Sequence, residues 1–178
     1  MKRFTAHRAF TLIETMVAIT ILTLSIVGPM TVANRALVAA DTASDQLTAS
    51  YLAQEGIEYV RAVRDDQFLA LYPGDTTNAW ANFLTATAGC RAPNVCTFES
   101  AGGVGSHSVC PSGVCGPLWL SAANIYTQVG GVTQTSFTRT IQTVQVNANE
   151  EEVVSKVSWS FHGTPYLVTI IDHLTSWQ

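Results

Sequence analysis

The segment Arg8–Met30 reads RAFTLIETMVAITILTLSIVGPM and is the most informative stretch of this 178-residue chain. Over residues 10–34 the only charged residue is Glu14. A helix of about 20 apolar residues is long enough to cross a hydrocarbon core of about 30 Å. The sequence therefore predicts a membrane-spanning helix over residues 10–34, and residues 1–9 precede it as a basic leader.

The charges on the two sides of this helix predict its orientation. Lys2, Arg3 and Arg8 precede it, whereas Asp41 and Asp45 lie beyond its far end. By the positive-inside rule the leader stays in the cytoplasm and the rest of the chain is exported. The alternative is an ordinary secretory signal peptide, which is cut at small residues after its apolar region. The alanine-rich sequence that follows Val32 offers such residues.

Glu14 argues against the signal-peptide alternative. An acidic residue near the middle of a bilayer costs about 2.5–3.5 kcal/mol, so a carboxylate in an apolar span indicates a function. If the chain is cut between Ala9 and Phe10, the new α-amino group of Phe10 lies four residues before Glu14. In a bundle of such helices the cation of one chain meets the anion of its neighbour, which would fix their axial stagger.

The residues Arg8–Glu14, followed by an apolar helix, resemble the cleavage and methylation motif of type IV prepilins and type II secretion pseudopilins. In that family a membrane aspartyl peptidase cuts just before the phenylalanine and methylates the new amino terminus. The resemblance implies a scissile bond between Ala9 and Phe10, N-methylation of Phe10, and subunit docking through Glu14. The chain departs from the family at Ala9, where glycine is usual.

The resemblance also implies a structural role, with no enzymatic activity and no cofactor. The expected protein is a minor subunit of a type IV pilus or a type II secretion-like pseudopilus. Its expected partners are prepilin peptidase, other pilin or pseudopilin subunits, the inner-membrane assembly platform and, before assembly, membrane lipid. It would be a single-pass inner-membrane protein first and part of an extracellular or periplasmic filament afterwards. The alternative function is a membrane-anchored or secreted adhesin or binding module.

Beyond the span the helix is expected to continue as an amphipathic segment over residues 35–71. Gly28 and Pro29 predict a kink inside the apolar part, because proline removes one backbone hydrogen bond. In the second part, apolar or small residues recur at the spacing of one helical face. They are Leu52, Gly56, Tyr59, Val60 and Val63.

Residues 72–178 form the expected exported head, and its first part, 72–117, is rich in Gly, Pro, Ala and Ser and is predicted to be an irregular, looped region. All four cysteines lie there, at Cys90, Cys96, Cys110 and Cys115. An even number of cysteines in an exported domain indicates disulfides. Local pairing, Cys90 with Cys96 and Cys110 with Cys115, is the expectation, although four cysteines allow three connectivities. A zinc site that includes His107 is the alternative.

The second part of the head, 118–178, has the alternation of β-strands. Residues 135–141 and 153–161 alternate apolar and polar side chains, and turn residues separate the latter from 166–170, which predicts a C-terminal hairpin. Glu150–Glu152 is predicted to be a solvated loop between strands. The expected fold is α+β, in which the long N-terminal helix packs against a small antiparallel sheet, as in pilin-like heads.

Charge and motifs exclude several other functions. The net charge is −4 and becomes −7 if residues 1–9, which carry three basic residues, are removed. No basic surface for nucleic acid is therefore expected. The sequence also lacks a nucleophile elbow, a His-Glu-x-x-His zinc motif and a phosphate-binding loop.

Overall fold

The computed structural model describes residues 10–72, 74, 76–99 and 103–176. It confirms the α+β class, with one long N-terminal helix and antiparallel sheets. The chain divides into two compact units, Met1–Ser44 and Asp45–Gln178. The expected leader, including Ala9, lies outside the described residues.

The first helix, α1, spans Leu12–Leu71 and contributes to both units. It contains one proline, Pro29, and the backbone remains helical through it. The helix ends at Leu71, where the sequence predicts. Beyond it, the backbone N–H of Gly74 donates a hydrogen bond to the Leu71 carbonyl at 2.6 Å. Such a short-range bond satisfies one of the carbonyls left free at a helix C-terminus.

Within the described residues, eight strands follow α1. They are β1 Cys96–Phe98, β2 His107–Val109, β3 Trp119–Leu120, β4 Tyr126–Thr127, β5 Thr133–Gln134, β6 Thr138–Asn147, β7 Glu150–Phe161 and β8 Thr164–Thr175. Five of them form an antiparallel sheet in the order β2-β1-β6-β7-β8, and the other three form a small sheet in the order β4-β3-β5. The long strands β6, β7 and β8 are consecutive in sequence, so the main sheet is built largely from local hairpins.

The predicted C-terminal hairpin is confirmed. β7 and β8 pair from Glu150–Thr175 to Phe161–Thr164 without a register shift. His162 and Gly163 connect them with φ angles of 50° and 79°, which is the backbone sign pattern of the two-residue turns preferred in hairpins. This turn is compatible with the twist of the two strands, and it fixes their register. Because the register is not shifted, alternate residues of β7 lie on the face that packs against the core.

The C-terminal part of α1 packs on the main sheet through two apolar clusters. One contains Ile57, Val60 and Val63 of the helix, and the other contains Ala49, Leu52 and Ala53. At Gly56 the helix lies close to the sheet, since a Cβ atom there would lie 2.5 Å from Ser155 Oγ. The absence of a side chain at residue 56 is therefore what lets the helix lie this close to β7.

A buried arginine on β6 connects the helix and the sheet. Arg139, 2% exposed, donates hydrogen bonds to Glu55 Oε2 at 2.7 Å and to the Leu52 carbonyl at 3.2 Å. Its guanidinium also donates to the Phe98 carbonyl at 3.4 Å and lies 5.4 Å from the ring centroid of Tyr59. Several partners therefore compensate the burial of this charge.

The loop prediction for residues 72–117 is partly wrong, because this region contains the strands β1 and β2 and a second helix, α2, which spans Thr76–Ala86. Ala79, Trp80 and Phe83 are buried on one side of it, and Trp80 Nε1 donates to the Ala148 carbonyl at 2.9 Å. This apolar face needs the sheet as a partner. The helical spacing of the apolar residues in α2 extends over few residues, and the neighbouring turn residues indicated a loop instead.

The solvated-loop prediction for Glu150–Glu152 is also wrong, since all three residues belong to β7. Their strand simply continues the alternation of Val153 and Val157, which places Glu151 on the buried side with 0% exposure. Three consecutive acidic residues did not indicate a strand, because the residue that pairs with Glu151, Arg91, is far away in the sequence.

Candidate functional site

The start of α1 carries the residues of the predicted processing site. Thr11 is the N-cap, as its side-chain oxygen accepts the backbone N–H of Glu14 at 3.3 Å and its carbonyl accepts that of Thr15 at 3.2 Å. Glu14 is then the third residue of the helix. Threonine and glutamate at this spacing are typical of a helix N-terminus, where a carboxylate also interacts favourably with the helix dipole.

Phe10 and Glu14 are both exposed at this end of the chain. Phe10 is 78% exposed and directly precedes the cap. Among the described residues the Glu14 carboxylate has no hydrogen-bond or ion-pair partner, although it is the only acidic residue in the apolar segment. Removing such a carboxylate from water without a cationic partner is costly.

The surface behind these residues is apolar. Every residue from 10 to 44 except Thr42 is exposed. By length and composition α1 is apolar enough to cross a membrane, and its apolar part is not buried. The exposed large side chains of this stretch include Ile19, Leu22, Leu24 and Ile26. A continuous apolar surface of this kind is typical of a helix that contacts lipid or other helices.

The hydroxyl groups in this apolar stretch are satisfied within the helix. Thr15, Thr20 and Thr23 each donate to a backbone carbonyl three residues earlier, at 2.8–2.9 Å. Ser25 donates to a carbonyl four residues earlier at 2.7 Å. Because these groups need no water, six hydroxyl residues between positions 10 and 32 do not prevent the helix from entering lipid.

Gly28 and Pro29, the predicted kink, lie inside this same stretch. Proline cannot donate to the carbonyl of Ser25, four residues earlier. The hydroxyl of Thr31 donates to the Gly28 carbonyl at 2.8 Å, and a Cβ atom at Gly28 would meet nothing within 4 Å. The surface of the helix at Gly28 is therefore open. The bend at Pro29 stays a prediction.

The comparison with known families gives a match at this site. Residues 5–28 match the prokaryotic N-terminal methylation motif. This match is consistent with the type IV prepilin and pseudopilin family, which is a structural class and not a class of enzymes. The motif and the long apolar helix together support a membrane-anchored, pilin-like precursor. No curated protein and no solved structure matches the chain.

In the second unit the structure joins Cys90 to Cys96 and Cys110 to Cys115. Both pairs close short loops, with sequence separations of 6 and 5. All four sulfur atoms are thus used in disulfides, which leaves no thiolate for the alternative zinc site. His107 instead lies against the ring of Phe98, with 5.4 Å between centroids, and its Nδ1 contacts the Gly105 carbonyl at 3.0 Å.

One residue of the N-terminal site was missed by the sequence reasoning. Thr11 caps α1, and the signal for it was the pattern of threonine followed three residues later by glutamate, just before an apolar run. The cap fixes the start of the helix two residues after the expected scissile bond.

Proposed function

We propose that this chain is a minor structural subunit of a type IV pilus or a type II secretion-like pseudopilus. Prepilin peptidase cuts between Ala9 and Phe10 and methylates the amino group of Phe10. Residues 1–9 are the cytoplasmic leader, 10–34 the membrane and filament-core helix, 35–71 its amphipathic continuation, and 72–178 the exported head. The methylation motif at residues 5–28 carries this proposal.

The geometry of the helix start supports a docking role for Glu14. Its carboxylate has no partner among the described residues, and the side chains around it are apolar and exposed. In a filament the methylated amino group of a neighbouring subunit supplies the missing cation. Pairing inside an apolar core is specific because an unpaired charge there costs several kcal/mol.

The test is the mature N-terminus, determined by intact mass and N-terminal fragmentation after co-expression with a prepilin peptidase. Wild type is expected to begin at methylated Phe10. Ala9→Glu is expected to block cleavage, because it places a charged side chain at the scissile bond. Glu14→Ala is expected to be cleaved and methylated normally but to enter filaments at least about tenfold less than wild type, for loss of one buried charge pair.

Asp41→Ala is the matched control for the docking role. Asp41 is an exposed acidic residue of the same helix, outside the predicted span. Its replacement is expected to leave both cleavage and filament entry unchanged. Cleavage beyond Val32 in wild type would show an ordinary signal peptide and would favour the secreted adhesin. Equal filament entry of Glu14→Ala and Asp41→Ala would remove the docking role while leaving the processing site intact.

A further inference from the structure

Glu151 is a fully buried carboxylate in the head. It lies on the inner side of β7, is 0% exposed and is paired in register with Leu174, which is 2% exposed. Its two oxygens accept hydrogen bonds from Arg91 Nε and Nη2, at 3.2 and 3.3 Å. Within the described part of the chain no other side chain bonds to this carboxylate. Among the described side chains, Arg91 alone therefore compensates the burial of this carboxylate.

Arg91 is held in place by the first disulfide. It directly follows Cys90, whose disulfide to Cys96 ties the loop to β1. The loop is also attached to β6, since the backbone N–H of Ala92 donates to the Thr143 carbonyl at 2.9 Å. Because the disulfide and this hydrogen bond both hold the loop, the guanidinium of Arg91 stays within hydrogen-bond distance of Glu151.

The two partners are not equally buried, and this asymmetry matters. The Arg91 side chain is 34% exposed, so it can move into water when its loop opens. Glu151 cannot follow, because its strand lies in the middle of the β6-β7-β8 hairpins. Opening the loop therefore leaves an unpaired charge in the core, which is far more costly than losing an exposed ion pair.

The second disulfide provides an internal comparison. Cys110 and Cys115 close a loop of nearly the same length, so the chain entropy that each disulfide removes from the unfolded state is similar. The intervening residues, 111–114, are Pro, Ser, Gly and Val, and all are exposed. That loop carries no ionic side chain and holds no charge in the core.

We propose that the Cys90–Cys96 disulfide and the Arg91–Glu151 ion pair form one redox-sensitive device that couples oxidation of the head to its stability. Two thiols lose two protons and two electrons as the S–S bond forms, and a disulfide oxidant accepts them and becomes two thiols. Before oxidation the loop is attached to β6 without the disulfide, so Arg91 is held less firmly, and a Glu151 that loses its partner destabilises the folded head. After oxidation the ion pair is fixed. The Cys110–Cys115 disulfide contributes chain entropy only.

The test compares urea unfolding midpoints of the full-length chain in dodecyl maltoside micelles, followed by tryptophan fluorescence. Cys90→Ser/Cys96→Ser is expected to lower the midpoint about two- to three-fold more than Cys110→Ser/Cys115→Ser, at equal transition slope. Arg91→Ala, with both disulfides intact, is expected to reproduce most of this excess. Glu151→Gln keeps the shape of the side chain without its charge, and in that background the two disulfide removals are expected to cost the same.

Two results would overturn the proposal. The first is an equal midpoint shift for both disulfide removals in the wild-type background. The second is an excess for Cys90→Ser/Cys96→Ser that persists with Glu151→Gln. If Cys90→Ser/Cys96→Ser fails to fold, the triple variant with Glu151→Gln is expected to fold, and its failure to do so would count against the coupling. These outcomes are independent of processing at Phe10 and of filament assembly.

Discussion

The two halves of α1 place the same kinds of side chain in opposite environments. In the unit that ends at Ser44 the apolar side chains are exposed, for example Leu22 at 61%. In the unit that begins at Asp45, one face of the helix is buried against the sheet, for example Val60 at 0%. One helix therefore combines a surface that needs an external apolar partner with a surface that already has one.

The two units are therefore stabilised by separate means. The head has its own core of helix and sheet, whereas the first unit relies on backbone hydrogen bonds and on whatever apolar medium surrounds it. Substitutions in the head should therefore change its unfolding midpoint. Equivalent substitutions in the first unit should leave the midpoint unchanged and act on membrane insertion or assembly.

The largest contrast is expected for a pair of leucines. Leu118→Ala removes a side chain that is 0% exposed and packs with Phe137 and Trp159, so it should lower the free energy of unfolding by about 2–5 kcal/mol. Leu22→Ala, at a residue that is 61% exposed, should leave it unchanged. Urea unfolding in micelles measures both. Equal effects would show that the two units unfold as one.

A smaller but still clear effect is expected for Arg139. Arg139→Met keeps the aliphatic stem but removes the bonds to Glu55 and to two carbonyls, and should destabilise the head by about 1.5–3 kcal/mol. Glu55 is partly hydrated, with 37% of its side chain exposed, so the loss stays below that of a fully buried pair.

Lys156→Met is the control for Arg139. Lys156 lies on the neighbouring strand and is exposed on the outer face of the sheet. Its replacement should change the unfolding free energy by no more than about 0.5 kcal/mol. A loss equal to that of Arg139→Met would mean that net charge, and not the contact with α1, determines the result.

Local patterns in the sequence were sufficient for the helix and for the hairpin. The apolar run around Glu14 and the alternation of β7 and β8 are both read within about 20 residues. Arg139 with Glu55 and Arg91 with Glu151 were not predicted, because the partners are 84 and 60 residues apart. No period or motif connects such residues. The buried carboxylate became visible only when the fold brought them together.

A pair of glycines tests the close approach of helix and sheet. Gly56→Ala places a Cβ atom 2.5 Å from Ser155 Oγ, so despite the better helix propensity of alanine it should cost about 1 kcal/mol net. Gly28→Ala has open space and should raise or preserve helix content, measured by far-ultraviolet circular dichroism. Adding Ser155→Ala should recover part of the loss at Gly56. No recovery would assign the cost to Ile141 or Arg139 instead.

The smallest effect is expected for the partly exposed ion pairs of Arg61. Its guanidinium donates to Asp172 and to Glu58, both at 2.7 Å, and the bond to Asp172 is the main reason that the pKa of Arg61 is raised. A raised pKa means that the stabilisation is fully present below the unfolded-state pKa and is lost only as pH rises through the folded-state value, in the strongly alkaline range. Arg61→Met should therefore cost about 0.2–1 kcal/mol, equally at pH 6 and pH 9.

Arg35→Met is the counterpart of Arg61→Met in the first unit, where Arg35 is exposed and lies just beyond the predicted span. It should not change the unfolding midpoint of the head at either pH.

If Arg61→Met has the same cost at both pH values and Arg35→Met has none, the head alone responds to its ion pairs. A cost for Arg61→Met that changes between pH 6 and pH 9 would show that the titrating group is a neighbour and not the arginine. A cost for Arg35→Met would show that the exposed half of α1 contributes to the stability of the head.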